Sequence, residues 1–581
     1  MTLTLRLALW AALAGVMVVP LAMVVSLGLG ANHLPELIEE GLGQATVNSL
    51  VSSLLSAIGA VIIGTIMAFL LDRTDLPGRG ALRLLLLTPL FIPPFIGAIA
   101  WSGLLTDGGL LDRVFGVAPW NFYGGPGVVF LLTLHAYPMA YFVVTAALRR
   151  IPAEFEEASR LSGSTALRTH LDVTMPLIRP AMAAAFTLTF VSGIGDFGIP
   201  VIVGLPAGYE TLSTLVYRML ESGSVVSPLQ TVSQIGIVLL LLGVLGTLLD
   251  RQVSKGGVEF GGTGRVAEPQ ELGRARRPLG VAAWVVSVVV TAAPLVGLLV
   301  RALLPAPGVP LTLDTATLDN FRRALTAPTT VDGIVNSVFL ALGAALICGV
   351  IGLLVGLFTT RLANRDREPM LLSVLLPQAV PGLVIATGWL ILGRYTGLFN
   401  TRWVILGAYV TAFTAIVVQT VRGPLAGIHS SMEEAARIGG AGALRSRMDT
   451  SVRLALPAAG IGMVMVALTA VRELTLSVLL VAPGTQTLGV VIFQYQRAGD
   501  YNASSALSVA LMAVGLLALA LFGARFAGTS TGLSAASTAS TRASTRATPR
   551  GSSSTDGAPS SGPVIDAAPD PISNDTGSNR A

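Results

Sequence analysis

Two stretches decide how this chain is read: EEASRLSGSTALRTHLDVTMP, Glu156–Pro176, and EEAARIGGAGALRSRMDTSVRLALP, Glu433–Pro457. Each opens on Glu-Glu-Ala and has a glycine seven residues after its first Glu, Gly163 or Gly440. Each then passes through arginines into an apolar span. Both are polar islands in a very hydrophobic protein, and two such islands on one face of a membrane read as docking sites for something soluble.

The surroundings make the membrane reading firm. The 581 residues are 52% hydrophobic and only 12% charged, with a mean hydropathy of +0.74. A soluble chain of this length needs far more charge to cover its surface, and it is too long for one compact core. Apolar runs of membrane-crossing length fall near 7–29, 46–71, 81–104, 125–147, 179–204 and 228–249. A second set falls near 279–304, 333–359, 369–394, 403–421, 458–482 and 502–524. The expected fold is an all-α polytopic membrane protein of about twelve helices, since the runs lack the alternation of a barrel strand. The first run, read as a retained span, could also pass for a signal peptide. Cys348 is the sole cysteine, so no intrachain disulfide can form.

Arginine placement gives the orientation. Arg73, Arg79 and Arg83, then Arg149, Arg150, Arg160 and Arg168, follow even-numbered runs, as do Arg361, Arg422, Arg437, Arg445 and Arg447. The loop at 30–45 carries Glu36, Glu39 and Glu40 and no arginine; Arg322 and Arg323 are the clearest exception. Both termini and both Glu-Glu-Ala islands are therefore expected in the cytoplasm.

The halves repeat. Asn48 meets Asn336, Arg73 meets Arg361, Pro93 meets Pro381 and Trp101 meets Trp389 at one offset; Glu157 meets Glu434, Gly163 meets Gly440 and Asp196 meets Glu473 at another. Six runs per half give both halves the same orientation, as in parallel transporter repeats. The expected organisation is a first transmembrane domain over 1–250, a linker over 251–278, a second domain over 279–526 and a disordered tail over 527–581.

These motifs, with TPLFIPPFIGAIAW at 88–101, DFGIPVIVG at 196–204 and RELTLSVLLVAPGTQTLGVVIF at 472–493, resemble the fused permeases of binding-protein-dependent ABC importers. The similarity is to MetI-like transmembrane domains of the type I class, and within it to the ferric-iron group. The first loop departs from the family pattern at Ser159, and the second carries Arg453 where the first has Pro176. The resemblance implies docking of a separate ATPase subunit, in two copies, at Glu156, Glu157, Ala158 and Gly163 and at Glu433, Glu434, Ala435, Ala436 and Gly440. It also implies a periplasmic or lipid-anchored binding protein, a bacterial cytoplasmic membrane, surrounding lipid and no nucleic acid. ATP and Mg would be used by the partner, with no cofactor in this chain.

No phosphate-binding loop is present, because Lys255 lies in SKGG. His33, His135, His170 and His429 are scattered, and neither a metal set nor a catalytic set is expected. Ionisable groups inside apolar runs mark pathways or structural pairs. Asp196, Glu473 and Arg472 are the pathway candidates, with a helix break expected around Asp196 from Gly193, Gly195, Gly198 and Pro200. Tyr137, Tyr141 and Gln419 are weaker ones, and Pro93, Pro94 and Pro381 are expected to kink their spans. Ferric iron leads as cargo; thiamine, aminoalkylphosphonate, polyamine and oxyanions remain alternatives, as does an ion-gradient carrier of a different class.

Overall fold

The computed structural model describes residues 3–106, 109–116, 121–223, 227–254, 269–306, 309, 312–361 and 366–517. The tail expected over 527–581 and half of the linker expected over 251–278 lie outside these residues. Residues 1–517 form one compact unit.

Helices account for the architecture, and among the described residues β pairing is limited to a single bridge between Thr74 and Gln270. In the first half α1 is Arg6–Leu29 and α2 is Leu42–Asp72. Next come α3, Arg79–Phe91, and α4, Pro94–Leu105. They are followed by α5, Gly125–Leu148, α6, Ala153–Leu161, α7, Ala166–Gly195, α8, Leu212–Glu221, and α9, Pro228–Leu249. The second half repeats the order with α10, Gly273–Leu303, α11, Pro328–Thr360, α12, Arg367–Ala379, α13, Gly382–Thr396, and α14, Arg402–Gly427. It ends with α15, Ser430–Ile438, α16, Arg445–Val471, α17, Leu488–Arg497, and α18, Tyr501–Leu517.

Nine of these helices are long and apolar enough to cross a membrane, or eleven if each bent pair counts as one span. The helix α18 is apolar but has only 17 described residues. The bent pairs are α3–α4, turned by 104°, and α12–α13, turned by 108°. Each elbow is a proline in extended backbone: Pro93 and Pro381 both have φ −54° and ψ 137°. A proline has no N–H to continue the ladder, and it pushes the preceding residue out of the helical region. The expected kinks are therefore full breaks.

The first spans are exchanged, which the sequence did not indicate. The helix α1 packs on α13 of the second half as well as on α9 of its own, and α10 packs on α3 and α4 of the first. Thr411 Oγ1 donates to Val16 O at 2.7 Å, and Thr291 Oγ1 donates to Leu85 O at 3.1 Å. Gly388 lets α13 approach the Pro20 carbonyl, where a Cβ would come within 2.4 Å. Each half is thus completed by a helix of the other, and the two halves bury a continuous interface.

The segments after α7 and α16 hang from matched polar anchors. Asn48 Nδ2 donates to Glu210 O at 2.8 Å, and Asn336 Nδ2 to Gln486 O at 3.0 Å. Ser49 and Ser337 accept the first amides of α8 and α17, from Leu212 and Leu488, each at 2.8 Å. Both asparagines thus bond from a span to a loop carbonyl. These bonds satisfy loop amides and carbonyls where lipid offers no partner.

Candidate functional site

Two regions bring the sequence candidates together, one at the interface between the halves and one at the ends of α5 and α14.

At the interface lies a cavity of about 440 Å³. Its wall is built from matched positions of the two halves: Pro94 and Gly382, His135 and Ala412, Met139 and Ile416, Ser192 and Thr469, Asp196 and Glu473. Both carboxylates sit where a long span stops. The helix α7 ends at Gly195 and α16 at Val471, and winding resumes a few residues later. Asp196 Oδ1 accepts the Ile199 amide at 2.9 Å, and Glu473 Oε1 accepts the Leu476 amide at 3.0 Å. Each acid therefore caps the helix that resumes after its own break. A carboxylate in that place offsets the unpaired amides of the new helix start, which lessens the cost of holding charge away from water.

The cavity is not symmetric in chemistry. His135 faces it from α5, where the second half has Ala412. Gln378 lines it from the α12–α13 elbow, and Gln419 stands behind, donating to Gln378 Oε1 at 2.7 Å. Arg472 does not line it; its Nη1 donates to Leu90 O at 2.9 Å. Tyr137 and Tyr141 do not line it either. Tyr137 donates to Leu86 O at 2.5 Å and Tyr141 to Asp72 Oδ2 at 3.0 Å. His135 and Gln378 escaped the sequence reading. The first was one of four scattered histidines, and the second is exposed to the cavity only by the break at Pro381.

Beside the acids the halves are tied together by rings. Phe197, Tyr217 and Phe493 meet with centroids 5.3, 5.9 and 6.1 Å apart. Arg497 of α17 bonds Tyr217 and Glu221 of α8.

The second region is the pair of Glu-Glu-Ala loops. Each is a nine-residue helix, α6 or α15, then a left-handed glycine, with φ +90° at Gly163 and +89° at Gly440. That backbone region disfavours any residue with a Cβ, which explains a glycine at the same place in both loops. A short helical stretch then winds as a π-helix, over His170–Thr174 in the first half and Met448–Val452 in the second, on entering the span. The loops lie at the same end of the bundle, since each follows the equivalent helix of a parallel repeat.

The structure sorts the expected docking residues into two groups. Glu157, Ala158, Gly163, Glu434, Ala435 and Gly440 are exposed, and Ala436 is half-buried. Glu156 and Glu433 are not on the surface: they are only 2% and 9% exposed. Glu156 Oε1 accepts the Thr174 hydroxyl at 3.0 Å, and Glu433 accepts that of Ser451. Two adjacent glutamates must face different ways on a helix, and the buried one is chosen by a hydroxyl eighteen residues downstream. What the sequence reading missed at the surface is apolar. Leu161 is 90% exposed and Ile438 is 89% exposed, at matched positions two residues before the glycines. The sequence did not single them out, since Leu167 and Leu171 in the first loop and Met448 in the second are apolar and exposed as well.

Residues 60–256 match the family described as the inner membrane component of binding-protein-dependent transport systems. The chain is 27% identical over 226 residues to a ferric transport system permease protein, FbpB, of Actinobacillus pleuropneumoniae, covering 37% of this chain and 32% of that protein. It is 25% identical over 206 residues to the molybdenum transport system permease protein ModB of Escherichia coli K12, covering 35% of this chain and 90% of ModB. The maltose/maltodextrin permease MalF of Vibrio parahaemolyticus is 26% identical over 228 residues, 36% of this chain and 43% of MalF. The matched region thus spans about a third of the ferric relative's length.

Proposed function

We propose, starting from a chain whose residues 60–256 carry the inner membrane domain of a binding-protein-dependent transport system, that this protein is the membrane-spanning permease of an ATP-driven importer. Two fused permease halves, 1–250 and 279–526, form the pathway between them. The loops at 156–176 and 433–457 face the cytoplasm of a bacterial cell and receive two copies of a separate ATPase, which uses ATP and Mg. A periplasmic or lipid-anchored binding protein delivers the cargo at the opposite face.

The observation that carries this reading is the matched pair of exposed side chains, Leu161 and Ile438, on helices of the same length followed by the same left-handed glycine. An apolar side chain presented to water twice, at equivalent positions of a duplicated fold, fits a partner that binds twice. ATP-driven approach of the two partner subunits would move α6 and α15 as rigid bodies and reorient the spans behind them.

For the cargo, the cavity favours a cation. Two carboxylates line it, Asp196 and Glu473, whereas the nearby Arg472 is turned to a backbone carbonyl outside the lining. An oxyanion such as molybdate would meet like charge there, and like-charge juxtaposition in a low-dielectric site costs several kcal/mol. A neutral sugar would gain hydrogen bonds from the acids but no charge attraction. Ferric iron, a hard cation with a preference for oxygen, fits best among the cargoes named for the relatives. The acids serve passage, and selection rests with the binding protein.

In vesicles holding the chain, its ATPase and its binding protein, uptake of labelled ferric iron is expected to require ATP and to be unaffected by excess molybdate or maltose. Uptake that persists without the ATPase contradicts the importer reading and favours an ion-gradient carrier. ATP-dependent uptake of molybdate in place of iron contradicts the cargo alone.

A further inference from the structure

The buried glutamates of the two loops have a role separate from docking. In the first half, Glu156 accepts the hydroxyl of Thr174, the last residue of the π-helical turn within α7. In the second, Glu433 accepts the hydroxyl of Ser451, inside the π-helical turn of α16. Thr174 and Ser451 are both fully buried. In each case the carboxylate also faces a guanidinium at ion-pair distance. Arg73, from the end of α2, stands 3.5 Å from Glu156, and Arg447, from the loop itself, stands 3.7 Å from Glu433. The carboxylate–hydroxyl contact is thus built twice, at matched positions of the two halves.

Neither arginine completes a hydrogen bond to its glutamate. The buried Nε atoms of Arg73 and Arg447 have no hydrogen-bond partner. Arg73 instead gives Nη2 to Leu148 O at 2.7 Å. Burial lowers the Arg73 guanidinium from its ordinary value, and the carboxylates of Glu156 and Asp72 act in the opposite direction. A movement of about 1 Å would bring either pair within hydrogen-bond range, where a charged bond is at its strongest. Each loop helix is therefore fastened to the π-helical turn of its span by a carboxylate–hydroxyl bond. The turn it grips is a π-helix, a winding that concentrates at functional sites and marks where the regular helical ladder is locally rearranged.

We infer that Glu156 and Glu433 are positioning residues that transmit movement of the loop helices α6 and α15 to the spans α7 and α16, and not contacts for the ATPase. The inference rests on the permease reading above. The carboxylate pulls on Thr174 or Ser451, the span turns or shifts as one body, and its far end carries Asp196 or Glu473 at the cavity. The exposed Glu157 and Glu434 remain available to the partner.

The test uses the full chain with its ATPase and binding protein, in the variant Glu156→Gln with Glu433→Gln. ATPase co-purification is expected to stay within about twofold of wild type, and ATP hydrolysis to continue. Cargo taken up per ATP is expected to fall about tenfold, the scale of one charge-assisted hydrogen bond. Thr174→Val with Ser451→Ala should give the same split, and Thr174→Ser should restore coupling because it keeps the hydroxyl. A merely structural role would lower assembly, hydrolysis and uptake together and leave their ratio unchanged. Loss of co-purification in the Gln variant would make these residues docking contacts and overturn the inference, as would unchanged uptake per ATP. A wild-type chain that retains no ATPase fails at an earlier step, and that result overturns the permease reading itself. Should the double Gln variant fail to insert, the Thr174→Val and Thr174→Ser pair carries the same comparison.

Discussion

Neutralising both cavity acids, Asp196→Asn with Glu473→Gln, is expected to lower cargo uptake at least about a hundredfold while the ATPase stays bound. A unit positive charge about 5 Å from a carboxylate, at an effective dielectric near 20, gains roughly 3 kcal/mol, or about two powers of ten. The substitutions keep size and can keep the caps, since an amide oxygen can still accept from Ile199 and Leu476. The loops should not register the change. The helix α7 is 30 residues long, so roughly 45 Å of helix separates its loop end from Asp196. Initial rates of labelled iron uptake, with co-purification as the control, read the effect. Undiminished uptake would reduce the pair to helix caps.

The second large effect is expected at the loops. Leu161→Asp with Ile438→Asp should cost the ATPase complex between about a hundredfold and ten-thousandfold in affinity. Burying one such side chain in a partner's cleft contributes about 1.5–3 kcal/mol, and the variant removes two. Folding should be indifferent, because both side chains stand in solvent. Either substitution alone should leave a complex weakened between about tenfold and a hundredfold at one socket and intact at the other. A double variant that binds the ATPase like wild type would remove the observation on which the permease reading rests.

Much of this was legible in the chain. The Glu-Glu-Ala repeats, their glycines and the arginines beside them come from local composition, which a loop displays openly. The elbows at Pro93 and Pro381 and the stop at Asp196 follow from prolines and glycines that interrupt a helix, whereas the stop at Glu473 has no Gly or Pro beside it and was not legible. Other features depend on partners distant in sequence. Nothing in Leu7 to Leu29 says which neighbour α1 will choose, because a span apolar all round presents no distinguishing face. That α1 would lie on the second half is fixed by Thr411 and Gly388, nearly four hundred residues on. The inward turn of Glu156 is set by Thr174 and Arg73, from the start of α7 and the end of α2. His135 joins the cavity only because two bent pairs open space beside it.

The account is tested most directly by asking which side of the membrane Leu161 and Ile438 face, and what covers them there. Cys348 is the sole cysteine and is buried, so Cys348→Ser gives a silent background for Leu161→Cys or Ile438→Cys. The measurement is labelling of each new thiol by a membrane-impermeant maleimide, in intact cells and in inverted vesicles, with and without the ATPase. The account predicts no labelling from outside, ready labelling from the cytoplasmic face, and protection of both positions when the ATPase is bound. Labelling of either position from outside the cell, or at an undiminished rate beneath bound ATPase, would contradict it.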